Sequence, residues 1–282
     1  VRVKFSIITP CRNAAGLLGE TMESVVNQTA VRDGSVELEY QIIDGASTDG
    51  TEALAARYAD RGVEFRSEPD SGMYDALAKG LQCATGDVVA YLNAGDTYHP
   101  HAFEILAEVF THPEVDWVTG YSVLQNELSQ IIASWKPPRF RREFFETGVY
   151  LGPHPRPSVQ QESTFWSARL NRSIDFEKLR RFRLAGDYFL WHSFASQAPL
   201  HSVYSHLGAF RIHHGQLSSS IDSYNEEARA LVRPMTFRER LTEYWEFRCN
   251  PAFRRFLWNH ILPPSPARIF DYDCAEARWK AR

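Results

Sequence analysis

The chain has 282 residues, 44% of them hydrophobic and 23% charged, with a formal net charge of −4. These values fit a soluble globular α/β protein and exclude a disordered chain or one with the global basic signature of a nucleic-acid binder. Four cysteines, Cys11, Cys83, Cys249 and Cys274, form no C-x-x-C pair, which argues against a zinc site or a disulfide framework and fits a reducing compartment.

Val1-Arg2-Val3-Lys4 lacks the apolar core of a signal peptide. The chain does not open on Met, so residues are expected upstream. No run approaches the roughly 18 apolar residues of a membrane span. Phe5 to Thr9 is an apolar run predicted to be a strand closed by Pro10, and Asn13 is placed to cap the next helix, with Leu18, Met22, Val25 and Val26 at helical spacing. Leu38 to Ile43 predicts a second strand, ending at Asp44-Gly45, and Ser47 to Thr51 opens a helix running through Tyr58. Val63 to Arg66 predicts a third strand. Ser71 is placed to cap a helix with Met73, Ala76, Leu77, Leu81 and Ala84 on its apolar face. Asp87 to Leu92 predicts a fourth strand, which stops at Asn93-Ala94-Gly95-Asp96.

Strands alternating with helices imply a mainly parallel sheet, and such sheets bind ligands outside the carboxyl ends of their strands. Thr9, Asp44, Glu68 to Asp70 and Asn93 to Asp96 are all expected there. Further along, His101 to Thr111 reads as a helix and Val115 to Gly120 as a strand. Residues 136–158 form a long proline-rich connection. Gln161 to Trp166 reads as a strand, Ala185-Gly186-Asp187 starts a helix, and Gly208 to His213 reads as the last strand. From Glu226 onward the chain reads as helical, rich in aromatic and basic residues, with packing on the core preferred to a membrane surface.

Each polar residue has two readings. Asp44 is a turn and cap residue or an acceptor for a nucleobase imide. Asn93 and Asp96 are an Asx turn or part of a site for a hard cation, which shares coordination between carboxylate and phosphate oxygens. Asp187 is an N-cap or a general base, and an N-cap carboxylate with one free oxygen can be both. His213 and His214 are loop residues or ligands for metal or phosphate. No G-x-G-x-x-G follows a strand, and neither G-x-x-x-x-G-K-[ST] nor G-x-S-x-G occurs, so the dehydrogenase, P-loop and α/β-hydrolase classes lose their entry signals.

The segments FSIITPCRNAAGLLGETMESVVNQT, IIDGASTDGTEALAARY, SEPDSGMYDALAKGLQCATGDVVAYLNAGD, QESTFW and LAGDYFLW, in this order and spacing, resemble the family 2 glycosyltransferases of GT-A fold. The likeness spans about residues 3 to 215 and is nearest the branch that builds bacterial O-antigen and other exopolysaccharides. It implies a GT-A α/β fold with a helical C-terminal extension. Residues 1–98 would be the nucleotide-sugar-binding half, 99–215 the acceptor-binding and catalytic half, and 216–282 the extension.

The resemblance also implies an inverting hexosyltransferase. It would use a UDP-, GDP- or dTDP-sugar donor, Mn2+ or Mg2+, and a saccharide or lipid-linked oligosaccharide acceptor, with no nucleic-acid partner. Its expected location is the cytoplasm or the cytoplasmic face of the inner membrane. It implies that Thr9, Pro10, Asn13, Asp44 and Ser47 line the nucleotide site and that Gly72, Lys79, Asn93, Ala94, Gly95 and Glu162 lie near the donor. Asp96 and His213 would be metal ligands and Asp187 the catalytic base. Where the family often has Asp, this chain has Asn93 and Gly95. Asp96 is then the main protein ligand, and the diphosphate supplies much of the coordination. Two other classes stay open at this stage, a nucleotidyltransferase and a non-catalytic nucleotide-sugar-binding module.

Overall fold

A computed structural model describes residues 2–151, 157–212, 221–248 and 265–282. In chain order the elements are β1 Val3–Cys11, α1 Leu18–Val26, α2 Thr29–Arg32, β2 Val36–Asp44, α3 Thr51–Ala55, β3 Val63–Ser67, α4 Met73–Cys83 and β4 Val88–Tyr91. Then come β5 Thr97–Tyr98, α5 Ala102–Val109, β6 Trp117–Thr119, β7 Ser122–Gln125, β8 Ile131–Trp135, α6 Arg142–Glu146, β9 Thr164–Ser167, α7 Ala168–Asn171 and α8 Phe176–Leu179. The chain continues with α9 Gly186–Ala195, β10 His201–Val203, β11 Gly208–Arg211, α10 Ile221–Arg229, α11 Phe237–Arg248, β12 Ile269–Asp273 and β13 Arg278–Ala281.

The main sheet has nine strands in the order β13-β12-β10-β6-β9-β4-β1-β2-β3. All run one way except β9, antiparallel to both β4 and β6, and β13, antiparallel to β12. The ends of β1, β2, β3, β4, β6 and β10 therefore share one edge, and the chain enters β9 from that same edge. Both faces of the central strands are covered, so Phe5, Ile7, Ile8, Ile42, Val89 and Ala90 are fully buried without polar alternation. A smaller sheet, β5-β11-β7-β8, stands at that edge, because β5 follows directly on the Asn93 to Asp96 turn.

Helix α9 is apolar nearly all round and is accordingly buried. Trp191 stacks on Trp117 with ring centroids 5.9 Å apart, and Phe194 lies 5.5 Å from Trp166. Each such pair adds ~0.5–1.5 kcal/mol beyond area burial, which pins the helix that begins just before Asp187 against β6 and β9.

Several local expectations change. Strand β1 continues through Pro10 to Cys11. Asn13 does not cap α1. It adopts φ 50 and its Oδ1 accepts the Thr48 N–H at 2.9 Å, while the helix starts at Leu18. Ser71 does not cap α4 either. Its N–H and hydroxyl both donate to Asp75, and the N-cap is Gly72. The helix expected through Tyr58 tightens to 3-10 geometry after Ala55. Asp187 is the second residue of α9 rather than its cap, which is Ala185. Strand β11 stops at Arg211 and is not the last strand. The extension is helical in α10 and α11 and then returns as the β12–β13 hairpin, which joins the main sheet beside β10. In the extension, Phe247 packs on Phe144 at 5.9 Å, and Glu246 forms a buried ion pair with Arg141.

Candidate active site

The loops after β1 and β2 are stitched together. The Asn13 N–H donates to Ser47 Oγ at 2.6 Å, Ala14 N–H to Thr51 Oγ1 at 3.0 Å and Ala15 N–H to Asp49 Oδ2 at 3.0 Å. Asp44 is 1% exposed and is held from within this pair of loops. It accepts the Ser47 N–H at 2.8 Å, the Ser47 hydroxyl, and the Ser67 hydroxyl at 2.7 Å. Burial pushes its pKa up, but these hydrogen bonds outweigh burial and keep the carboxyl below its ordinary range. Thr9 is fully buried with its hydroxyl 3.0 Å from Tyr40, so it supports the site from within the sheet and does not line it. Pro10 is buried in register with Ile43.

The loop after β3 folds back over this region. A Cβ on Gly45 would lie 2.4 Å from the Asp70 carboxylate, and Asp70 in turn accepts the Gly72 N–H at 3.0 Å. Gly72 adopts φ 139, a conformation that favours glycine. Lys79 is committed to protein groups, with Glu68 at 2.9 Å and the Pro69 carbonyl at 3.1 Å.

The turn after β4 is fixed by Thr21, which accepts the Gly95 N–H and donates to the Asp96 carbonyl, both at 2.9 Å. Ala94 bridges to Asp96 within the turn, and Gly95 adopts φ 108. Asp96 is 4% exposed. Its Oδ1 accepts the Arg211 N–H and its Oδ2 the Gln161 amide, each at 2.9 Å. Burial pushes it up to about 7, against the pull of the Arg211 N–H, the Arg211 charge and Gln161. Glu162, also buried, is raised well above the ordinary range, first by burial and then by the charges of Asp96 and Asp187. Glu162 thus shares one acidic neighbourhood with both aspartates.

Among the described residues no three His, Cys, Asp or Glu side chains form a metal cluster, and His213 lies outside the described residues. The donor chemistry nonetheless fits a hard cation. The buried side-chain oxygens Asn93 Oδ1, Gln161 Oε1 and Glu162 Oε1 have no hydrogen-bond partner among the described residues. Unsatisfied buried acceptors are costly, and oxygen ligands are what Mg2+ and Mn2+ take.

Asp187 is half-buried. Its Oδ1 accepts the Tyr188 N–H at 2.7 Å and the Tyr224 hydroxyl at 3.0 Å, with the Tyr74 hydroxyl 3.5 Å away. Among the described residues nothing donates to Oδ2. Burial raises the carboxyl to about 6, and the Tyr188 N–H and the two tyrosine hydroxyls limit the rise. Tyr74 links the parts of the rim, since α4 starts at the loop over Asp44 and Tyr74 reaches the Leu184 carbonyl at 2.9 Å. Sequence reasoning missed Tyr74, Gln161, Arg211, Tyr224 and Glu227. Only the helical spacing of Tyr224 and Glu227 could have hinted at a shared face.

The sequence model of the glycosyl transferase family 2 matches residues 6–184. An uncharacterised glycosyltransferase of Rickettsia typhi is 24% identical over 233 residues, 80% of this chain and 69% of its own. A PGL/p-HBAD biosynthesis glycosyltransferase of Mycobacterium bovis is 32% identical over 127 residues, 43% of this chain and 48% of its own, so the chain spans about half of that relative. Among solved structures, S. aureus TarS 1-349 in complex with UDP superposes with a TM-score of 0.60 at 15% identity, covering 91% of this chain and 71% of that one. A mannosyltransferase of Pyrobaculum calidifontis in complex with GDP-Man and Mn2+ gives a TM-score of 0.50 at 19% identity, over 91% and 68%. With its mainly parallel sheet and its polar residues gathered at one edge, the chain belongs to glycosyl transferase family 2 and is a glycosyltransferase of GT-A fold.

Proposed function

We propose that the chain moves a sugar from a nucleoside-diphosphate donor to a hydroxyl of a saccharide or lipid-linked saccharide, with inversion, in the synthesis of a bacterial surface polysaccharide. The observation that carries this reading is the asymmetry of Asp187, whose Oδ1 is held by neighbours while Oδ2 accepts nothing from the described residues. An acceptor hydroxyl gives its proton to Oδ2. Its oxygen then attacks the anomeric carbon from the face opposite the diphosphate, and the bond to the diphosphate breaks as the new one forms, so no covalent sugar–enzyme species arises. The interlocked loops carrying Asn13, Asp44 and Ser47 would seat the nucleotide, with Gly72, Lys79, Ala94, Gly95 and Glu162 bordering the donor. Asp96, with the unpartnered oxygens of Asn93, Gln161 and Glu162, would hold Mn2+ or Mg2+, which offsets charge on the leaving diphosphate when bound.

Support for the donor class comes from neighbours in complex with UDP, UDP-GlcNAc and GDP-Man, one of them with Mn2+. Residues 1–98 would serve the donor, 99–215 the acceptor and the chemistry, and 216–282 would brace them. No described helix is long and apolar enough to cross a membrane. We place the enzyme in the cytoplasm or on the cytoplasmic face of the inner membrane, where lipid-linked acceptors are met. The test is a thermal-shift screen of UDP-, GDP- and dTDP-sugars with Mn2+, followed by Asp187→Asn. Transfer should vanish while donor affinity, measured by calorimetry, stays. Donor affinity falling in parallel with activity would overturn the assignment.

A further inference from the structure

The match to the family ends at residue 184, yet contacts that hold Asp187 and the backbone leading into it come from α10. Tyr224, Glu227, Ala228 and Leu231 recur at helical spacing and form one stripe. Ala228 is fully buried against Ala185 and Tyr188, with Tyr224 and Leu231 packed on the same cluster. From this stripe Glu227 accepts three successive backbone N–H groups, those of Arg183 at 2.8 Å, Leu184 at 2.8 Å and Ala185 at 2.7 Å. The N-cap of α9 makes no side-chain capping bond of its own, so a carboxylate from another helix holds the chain entering it. One turn earlier on the stripe, Tyr224 donates to Asp187 Oδ1 at 3.0 Å. From the opposite side Tyr74 ties the Leu184 carbonyl, and its ring sits where a Cβ on Gly186 would come within 2.4 Å.

We infer that α10 is a positioning element of the active site: Glu227 sets the backbone that carries Asp187, and Tyr224 fixes which carboxylate oxygen is left facing the acceptor. The inference rests on the reading of Asp187 as the general base. A carboxylate free to rotate would offer either oxygen at varying height, and misplacement by about 1 Å is enough to cost a hundredfold in rate. Donors gathered on Oδ1 alone remove that freedom. Among the described residues the titratable groups that act on Asp187 are Glu162 ahead of β9, Tyr74 on α4, Tyr91 on β4 and Tyr224 on α10, while Glu227 holds the backbone just before it.

The test uses the full chain with Tyr224→Phe and Glu227→Gln, each checked for folding by circular dichroism and melting, and Asp187→Asn as reference. Each variant should lower kcat by on the order of tenfold or more with donor KM unchanged. Tyr224→Phe should also move the acid limb of kcat to higher pH, because a hydrogen bond that favours the carboxylate is lost. If both variants fold and keep the parent kcat and pH profile, the inference fails. If kcat, donor KM and melting temperature all deteriorate together, α10 is merely structural and the inference fails as well. Should Asp187→Asn itself retain transfer, it is the base assignment that falls, a result separate from either of these.

Discussion

Acidification should silence transfer well above the range in which an ordinary aspartate titrates. Burial raises Asp187 to about 6, against roughly 3.9 for an exposed aspartate. A general base works only as its anion, so kcat should fall by about tenfold per pH unit below ~6. At pH 5 roughly one-tenth of Asp187 is ionised, whereas an unperturbed aspartate would stay more than about nine-tenths ionised. That displacement is a preference of ~3 kcal/mol for the protonated form, drawn mainly from burial of the carboxyl. The assay is the initial rate of nucleoside diphosphate release across pH 4.5 to 8.5 at fixed ionic strength, with the melting temperature recorded at each pH. Donor affinity measured over the same series separates the contribution of Asp96, which is also raised. Protonating Asp96 should weaken donor and cation binding, whereas protonating Asp187 should lower kcat. A kcat that stays level down to pH 5 would refute the reasoning.

Three further outcomes are expected. Gly186→Ala puts a Cβ 2.4 Å from the Tyr74 ring, and such overpacking should cost ~1–3 kcal/mol in urea denaturation; unchanged stability would mean the helix start yields freely. Asp96 has a folded-state pKa of about 7, above its unfolded value of ~3.9, so the fold carries a penalty that is absent below about pH 4 and grows as pH rises toward 7. Asp96→Asn should therefore be the more urea-resistant protein at pH 8, with the gap closing near pH 4 and donor turnover lost; equal stability at both pH values would contradict this. Glu246→Ala removes the buried carboxylate paired with Arg141, whose guanidinium is itself buried, and unfolding should become easier by ~3 kcal/mol or more, read from the urea midpoint.

Strands β1, β2 and β4 were legible because a parallel strand covered on both faces carries an apolar run, which ends where a polar residue meets the edge, Asp44 for β2 and Asn93 for β4, while the edge strand β3 showed as the alternation Val63-Glu64-Phe65-Arg66. The same logic pointed to Asp96, whereas Asp187 was read from the helix start at Ala185-Gly186 and from the family resemblance. Caps were misread at Asn13 and Ser71 because their side chains find partners in other loops or in the first turn of the helix itself, which no local pattern encodes. Strand β8 went unseen because Ile131, Ile132 and Trp135 are exposed, so the pattern carried no inward face, and β7 is only four residues long with the polar Gln125 at one of its two buried positions. The β12–β13 hairpin was hidden in a tail dominated by aromatic and charged residues, although Ile269-Phe270-Asp271-Tyr272-Asp273 does alternate. The partners of Asp96 and Asp187 were beyond reach for a simpler reason: Arg211 is 115 positions from Asp96, and Tyr224 is 37 positions from Asp187.

The sheet is completed by two strands that follow β10 by more than sixty residues. Strand β12 lies against β10, and β13 closes the outer margin. During synthesis the flank of β10 must wait, bare, until β12 emerges, and unpaired strand margins invite other chains. A fragment cut after β11 would keep that margin open permanently and should precipitate on expression, whereas β12 and β13 cover it in the longer chain.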